Sequence, residues 1–211
     1  MKALIILLSF ISYPTFSQQI LSEWETARKN ENVELQYRWV CLGDTLKTRE
    51  LRALFTVNAP SEAIIRNLNT ESNFQNWSVG VKRCKNIEQT SSSWIMYSLF
   101  DIPKPFNQQD LIAKYSVEQL DNKTIITIES VPRYLPPEKN IARINNYSGY
   151  WILESVSDNI THVKFHSTSY TKPMFPRFIQ DPILQRMLIK SFETLINQSE
   201  NEAIAKNYKR I

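Results

Sequence analysis

Asp181-Pro-Ile-Leu-Gln-Arg-Met-Leu-Ile-Lys190-Ser-Phe-Glu-Thr-Leu195 is the stretch that decides the architecture. Leu184, Met187, Leu188, Ser191, Phe192 and Leu195 recur at spacings of three and four, while Gln185, Arg186, Lys190 and Glu193 fall on the opposite side. With Asp181 as cap and Pro182 in the first turn, the pattern predicts a long amphipathic helix near the C-terminus. Its apolar stripe needs a broad partner, and the residues before it alternate with the period of strands.

Leu35, Tyr37, Trp39 and Cys41 alternate with polar residues from Val33 to Cys41, and Leu51, Ala53, Phe55 and Val57 do the same from Leu46 to Asn58. Gly43-Asp44 supplies the turn of a predicted hairpin. Further strands are expected over Val79–Ile87, Ser93–Phe100, Leu111–Leu120, Lys123–Val131, Ala142–Leu153 and Thr161–Tyr170, with Asp121-Asn122 as a tight hairpin turn. Two prolines in Asp101–Phe106 and three in Pro132–Lys139 project loops where hairpins would otherwise fall. Two short helices complete the set. Ser22-Glu-Trp-Glu25 reads as a capping box opening a helix with Trp24 and Ala27 that ends near Asn30, and Ala59-Pro60-Ser61 opens a second, through Leu68.

The chain is therefore α+β: a strongly curved antiparallel sheet of about eight strands wrapped around one long helix. A bent sheet of that size encloses more volume than one helix and the inward side chains fill, so a hydrophobic hollow is expected. On the strands its lining would comprise Phe55, Met96, Leu111, Ala113, Tyr115, Ile126, Ile128, Trp151, Val163 and Phe165, with Trp77 beside them. From the closing segment Phe178, Leu184, Met187, Leu188 and Phe192 would join it. Each of these apolar positions suits ordinary core equally well. Arg143 would sit near the polar end of a ligand, paired with Glu129, or else form an edge salt bridge. His162, Lys164 and His166 share the face opposite Val163 and Phe165 and are expected to be solvated.

Composition removes several function classes. Hydrophobic residues at 42% and charged residues at 22% make disorder a poor reading. Three glycines cannot assemble a dinucleotide fingerprint or a P-loop, and two His with two Cys, in no ligand spacing, leave little for a zinc site. No cofactor is expected. The net charge of +4 is scattered, which argues against nucleic acid; it would favour transient contact with an anionic membrane surface, although many inert soluble proteins carry as much. Cys41 and Cys84 fall on separated strands, so buried thiols are expected in preference to a disulfide. Lys2, the apolar run Ala3–Ile11, Pro14 and the small residues Thr15 and Ser17 read as a secretory signal peptide cut after Ser17, which would leave one domain over 18–211, exported to the periplasm or the medium as a monomer.

In their order and spacing, Tyr37-Arg38, Ala59-Pro60, Trp77, Tyr97-Ser-Leu-Phe-Asp101 with Pro103-Lys-Pro-Phe106 and Asp110, Ala142-Arg143-Ile144 with Ser148-Gly149-Tyr150-Trp151, and Phe175-Pro-Arg-Phe178 resemble the START family of lipid-binding domains, within the Bet v 1-like helix-grip superfamily. The resemblance covers most of the chain after residue 17. It implies a helix-grip fold whose cavity, closed by the C-terminal helix and the 103–110 loop, takes up one lipid or sterol-like molecule without catalysis. Two positions depart from the family pattern. Gln109 stands where an Arg usually precedes the Asp, which bears on a charged cavity contact, and Thr171-Lys-Pro173 replaces the usual glycine turn at the mouth. Two other functions stay open on the residues alone: an enzyme on the same scaffold, of hydrolase or cyclase type, and a filled-core module that binds a protein.

Overall fold

A computed structural model describes residues 18–42, 46–102, 107–171, 173 and 176–208. The expected signal peptide, the Gly43-Asp44 turn, Pro103–Phe106 and Phe175 lie outside the described residues. In chain order the elements are β1 (Gln18–Ile20), β2 (Glu25–Lys29), β3 (Val33–Leu42), β4 (Leu46–Val57), α1 (Ser61–Asn69), α2 (Glu71–Trp77), β5 (Val81–Gln89), β6 (Ser93–Phe100), β7 (Gln108–Leu120), β8 (Lys123–Ser130), β9 (Ile141–Arg143), β10 (Tyr147–Ser157), β11 (Ile160–Ser169) and α3 (Arg177–Tyr208). One curved, open sheet runs β1-β3-β4-β11-β10-β8-β7-β6-β5, with β2 on β3 and β9 parallel to β7. Its eleven strands exceed the eight or so expected, the surplus being the short β1, β2 and β9.

The first expected helix is a strand. Its two capping-box residues bond across to β3: the Trp39 N–H donates to the Ser22 hydroxyl at 2.9 Å, and the Tyr37 hydroxyl donates to Glu25 at 2.5 Å. With both groups so engaged, the segment pairs with Glu34–Tyr37 as β2, with a bulge at Ala27. By contrast α2 is a helix the sequence pattern did not indicate; Phe74 and Trp77 bury its inner side, packed edge to face at 5.0 Å. Asp121 takes a positive φ of 40° in the expected β7–β8 turn, where Asp tolerates the left-handed region.

The expected Ala142–Leu153 strand splits in two. Arg143, on β9, does not pair with Glu129. Its guanidinium donates twice to Asp110 at 2.9 and 2.8 Å and to the carbonyls of Pro132 and Leu135, in a pair whose side chains are 7% and 0% exposed. By strand alternation Asp110 points away from α3, together with Tyr97 and Ile112, so Arg143 lines no ligand hollow. It fastens the 132–143 loop over a small apolar cluster of Ile95, Tyr97, Ile112 and Leu135 on the convex side.

His166 is likewise buried on the convex side instead of solvated. Tyr150 stacks on it at 4.4 Å, Trp24 meets it edge-on at 5.5 Å, and its Nδ1 lies 3.2 Å from Glu50 Oε1. Trp24 also stacks beneath Arg38 and Arg52. The segment around β2 thus covers a face that alternation alone marks as wet. Burial would raise the Glu50 carboxyl, but hydrogen bonds from His166 and Arg38 outweigh it and hold the group below its usual range.

Both cysteines are buried, on β3 and β5, near opposite ends of the strand order, and they do not bond to each other.

Candidate ligand-binding site

The strand registers sort the concave face into rows. Val33, Phe55, Val163, Leu153 and Thr124 form the first, and Leu35, Ala53, Phe165, Trp151, Ile126 and Val117 the second. Leu51, Ser167, Gly149, Ile128, Tyr115 and Trp94 make the third. Met96, Ala113 and Ser130 lie in a fourth, toward the same end as Tyr147, Trp39 and Arg49. The chemistry changes along this series. The first two rows are almost wholly large and apolar; the next two carry glycine, serine, alanine and tyrosine.

Helix α3 crosses the rows and follows the same gradient. From Ile189 to Glu202 it is tied down throughout. Phe192 stacks on Phe55 at 5.2 Å and meets Phe165 and Trp151 at 5.5 and 6.0 Å. The Val79 N–H donates to the Ser191 hydroxyl, Asn30 donates to Glu193, and Asn58 donates to Glu200. Asn67, fully buried on α1, donates to Ser199 and accepts from Gln198, while Arg66 pairs with Glu202. From Arg177 to Leu188 no residue is fully buried. That end is held by the ion pair of Arg49 with Asp181 and by Arg177 lying over the Trp39 ring at 5.2 Å. Arg49 also stacks on Tyr37 and Trp39, and Met187 rests on Gly80, whose φ of 93° forms the turn into β5.

The helix starts at Arg177, four residues before the expected cap, because the Pro176 carbonyl already accepts the N–H groups of Ile179 and Gln180. Pro182 therefore lies inside it, where it leaves the Phe178 carbonyl without its intrahelical donor.

Most of the residues expected to line a hollow converge on the concave core. Phe55, Trp77, Met96, Leu111, Ala113, Tyr115, Ile126, Ile128, Trp151, Val163, Phe165 and Phe192 belong to one buried cluster, with Leu188 packed against it and Met187 half-buried. Phe178 and Leu184 do not join them: they are 78% and 39% exposed on the outer side of α3. Arg143 is on the other face of the sheet.

Tyr147, Ser167 and Trp94 are additions. All three are reached by extending the strand alternation two residues at a time from Trp151, Phe165 and Met96, but Tyr147 lies where the expected strand breaks. Burial drives the Tyr115 hydroxyl far above its usual range, with Tyr147 and Cys84 adding to the shift. Burial also pushes the Tyr147 hydroxyl up to about 12, against a hydrogen bond to Ser167 that lowers it. Yet Tyr147 is only partly covered by neighbouring atoms.

Two surface clefts lie outside the grip. One, of about 200 Å³, is on the convex side beside Glu50, His166 and Tyr150; the other, of about 440 Å³, lies between the α1–α2 turn and β5, beside Glu71 and Asn86.

A curved open antiparallel sheet gripping one long C-terminal helix is the START-like helix-grip fold. No family model matches the sequence, and a search of curated proteins finds no similar chain. Solved structures do match in fold. A STAR-related lipid transfer protein fragment from Xanthomonas axonopodis superposes with a TM-score of 0.73 at 19% identity, over 83% of this chain and 98% of that one. Human STARD10 matches at 0.68 and 17%, over 89% and 78%. The Zhui aromatase/cyclase from a Streptomyces species matches at 0.50 and 13%, over 74% and 93%.

Proposed function

We propose that the chain binds one lipid or other hydrophobic molecule in a hollow beneath residues 177–188 of α3, and carries it without chemical change. The observation that carries this reading is the fold itself, a curved sheet gripping one long C-terminal helix, as in a structure described as a STAR-related lipid transfer protein. Three features support it. The third and fourth concave rows mix Gly149, Ala113, Ser130 and Ser167 with the larger Trp94, Tyr115 and Met96, where the first two rows are almost wholly large and apolar. The clamp of Arg49, Asp181, Arg177 and Trp39 is polar and partly solvated, so it can open at small cost. The neighbours in fold include two proteins named for lipid transfer or for the STAR-related domain.

Apolar burial at roughly 25 cal/mol per Å² supplies the driving force for uptake. Residues 177–188 move to admit the ligand. Exposed Phe178, Ile179 and Ile183, near the basic Arg186 and Lys190, suit transient contact with an anionic membrane as the ligand passes. The protein works as a monomer in an exported location, a reading supported by the leader-like pattern of residues 1–17. An aromatase/cyclase neighbour of the same fold favours an enzyme as the second reading; it would need an ionisable group facing the ligand.

Native mass spectrometry of the protein purified from its host tests the proposal. One bound lipid per chain is expected. A protein that carries no adduct and takes up nothing from a panel of lipids would overturn it.

A further inference from the structure

Resting on the lipid-binding reading, the third row of the concave face narrows what kind of lipid fits. Across β6, β7, β8, β10 and β11 this row is Trp94, Tyr115, Ile128, Gly149 and Ser167, with Tyr147 one position beyond Gly149 on β10. Its polar groups are the indole N–H and three hydroxyls, and none of its side chains is ionised at neutral pH. The rows on either side of it, over the same five strands, are equally uncharged among the described residues: Met96, Ala113, Ser130 and Ser169 toward one end, Val117, Ile126, Trp151 and Phe165 toward the other.

Among the described residues the charges nearest the row are engaged outside it. Arg49, at the end of the face, is paired with Asp181 and stacked on Tyr37 and Trp39, with only its Nε left without a partner. Asp110 and Arg143 satisfy each other on the convex side, as do Glu50, Arg38 and His166. A phosphate or carboxylate drawn into this row would meet no cation, and an ammonium no carboxylate, a placement that is strongly unfavourable away from water.

What the row does offer is donors. Trp94 is 3% exposed and its ring lies flat on Tyr115 at 4.7 Å, yet its indole N–H has no hydrogen-bond partner. An orphan buried donor is uncommon and points to an acceptor that a ligand would bring. Tyr115 and Tyr147 remain protonated at any physiological pH, because burial raises both. Gly149 stands at the centre of the row because the β11 backbone lies close: a Cβ there would come within 2.6 Å of the His166 carbonyl. We infer that the ligand is a neutral lipid whose single uncharged polar end, a hydroxyl or carbonyl, is received between the Trp94 indole and the Tyr115 and Tyr147 hydroxyls.

The test compares ligands of matched chain on the full-length protein at pH 8, by displacement of a fluorescent fatty alcohol and by native mass spectrometry: oleyl alcohol and dioleoylglycerol against oleate, dioleoylphosphatidylcholine and dioleoylphosphatidylglycerol. The neutral pair should bind at least about tenfold more tightly than the three charged lipids. Tyr147→Phe, which keeps the ring, should weaken oleyl alcohol about fivefold to tenfold and leave oleate unchanged, as loss of one buried hydrogen bond would. Charged lipids binding as well as their neutral counterparts would overturn this inference while leaving lipid carriage intact. Failure of all five to bind would instead overturn lipid carriage itself.

Discussion

The two halves of α3 are continuous in the chain and unlike in every other respect. Residues 189–202 bury Ile189, Phe192, Leu195 and Ile196 in the aromatic core and lock to α1 through Asn67, Ser199 and Gln198. Residues 177–188 bury nothing completely; an ion pair, a cation lying on a tryptophan and the half-buried Met187 and Leu188 are among what holds them. A helix anchored at one end and latched at the other is suited to opening. The lesson is that helix amphipathicity alone does not separate a permanent core contact from a closure: what differs is how completely each half is buried and what holds it down.

The contrast breaks most readily at the aromatic contacts. Phe192→Ala should cost about 3–5 kcal/mol of stability, because three ring partners lose their contact and a cavity remains. Phe178→Ala should change stability by less than about 0.5 kcal/mol, since that ring faces outward. Urea denaturation of both variants measures the difference, and equal losses would remove the distinction between the halves. Next in size, Asn67→Ala strands Ser199 and Gln198 and should cost about 1–3 kcal/mol in the same assay.

Arg49→Ala sharpens the comparison from the other end. Releasing Asp181 and the two stacked rings should cost about 1–3 kcal/mol, while uptake of a fluorescent lipid in stopped flow becomes faster. A large stability loss with no change in uptake would mean that the latch is ordinary core. The smallest effect expected lies away from α3 altogether. Glu50 is held below its usual pKa, so its contribution is complete above the unfolded carboxylate value of about 4.3 and is lost as pH falls through the lowered folded value. Glu50→Gln should therefore flatten the acid limb of the stability profile, with no difference in lipid uptake at pH 7.

Much of this was legible in the sequence, and the exceptions share a cause. Strand alternation places Phe55, Trp151, Val163 and Phe165 inward correctly, and the three-and-four spacing around Phe192 finds the closing helix. Alternation does not reveal what lies over the other face. His166 reads as wet until the segment carrying Trp24 covers it, and that segment reads as helix because Ser22 and Glu25, a plausible capping pair, bond to β3 instead. Arg143 reads as a ligand contact because its partner Asp110 is 33 residues away and is brought alongside only by the parallel β7–β9 pairing. Phe178 and Leu184 carry the composition of a buried stripe, but the helix starts early and lifts them away from the sheet. Of the third row's donors Tyr115 is among the expected lining residues, whereas Trp94, Tyr147 and Ser167 are not, since a polar or aromatic residue on an inward face has no distinguishing spacing.

Hydrogen exchange along α3, with and without oleyl alcohol, bears most directly on the idea of a latch over a lipid-sized space. Without lipid, amides of residues 179–188 should exchange markedly faster than those of 189–202, and bound lipid should slow the first set while leaving the second unchanged. Uniform protection along the whole helix, indifferent to lipid, would contradict the account.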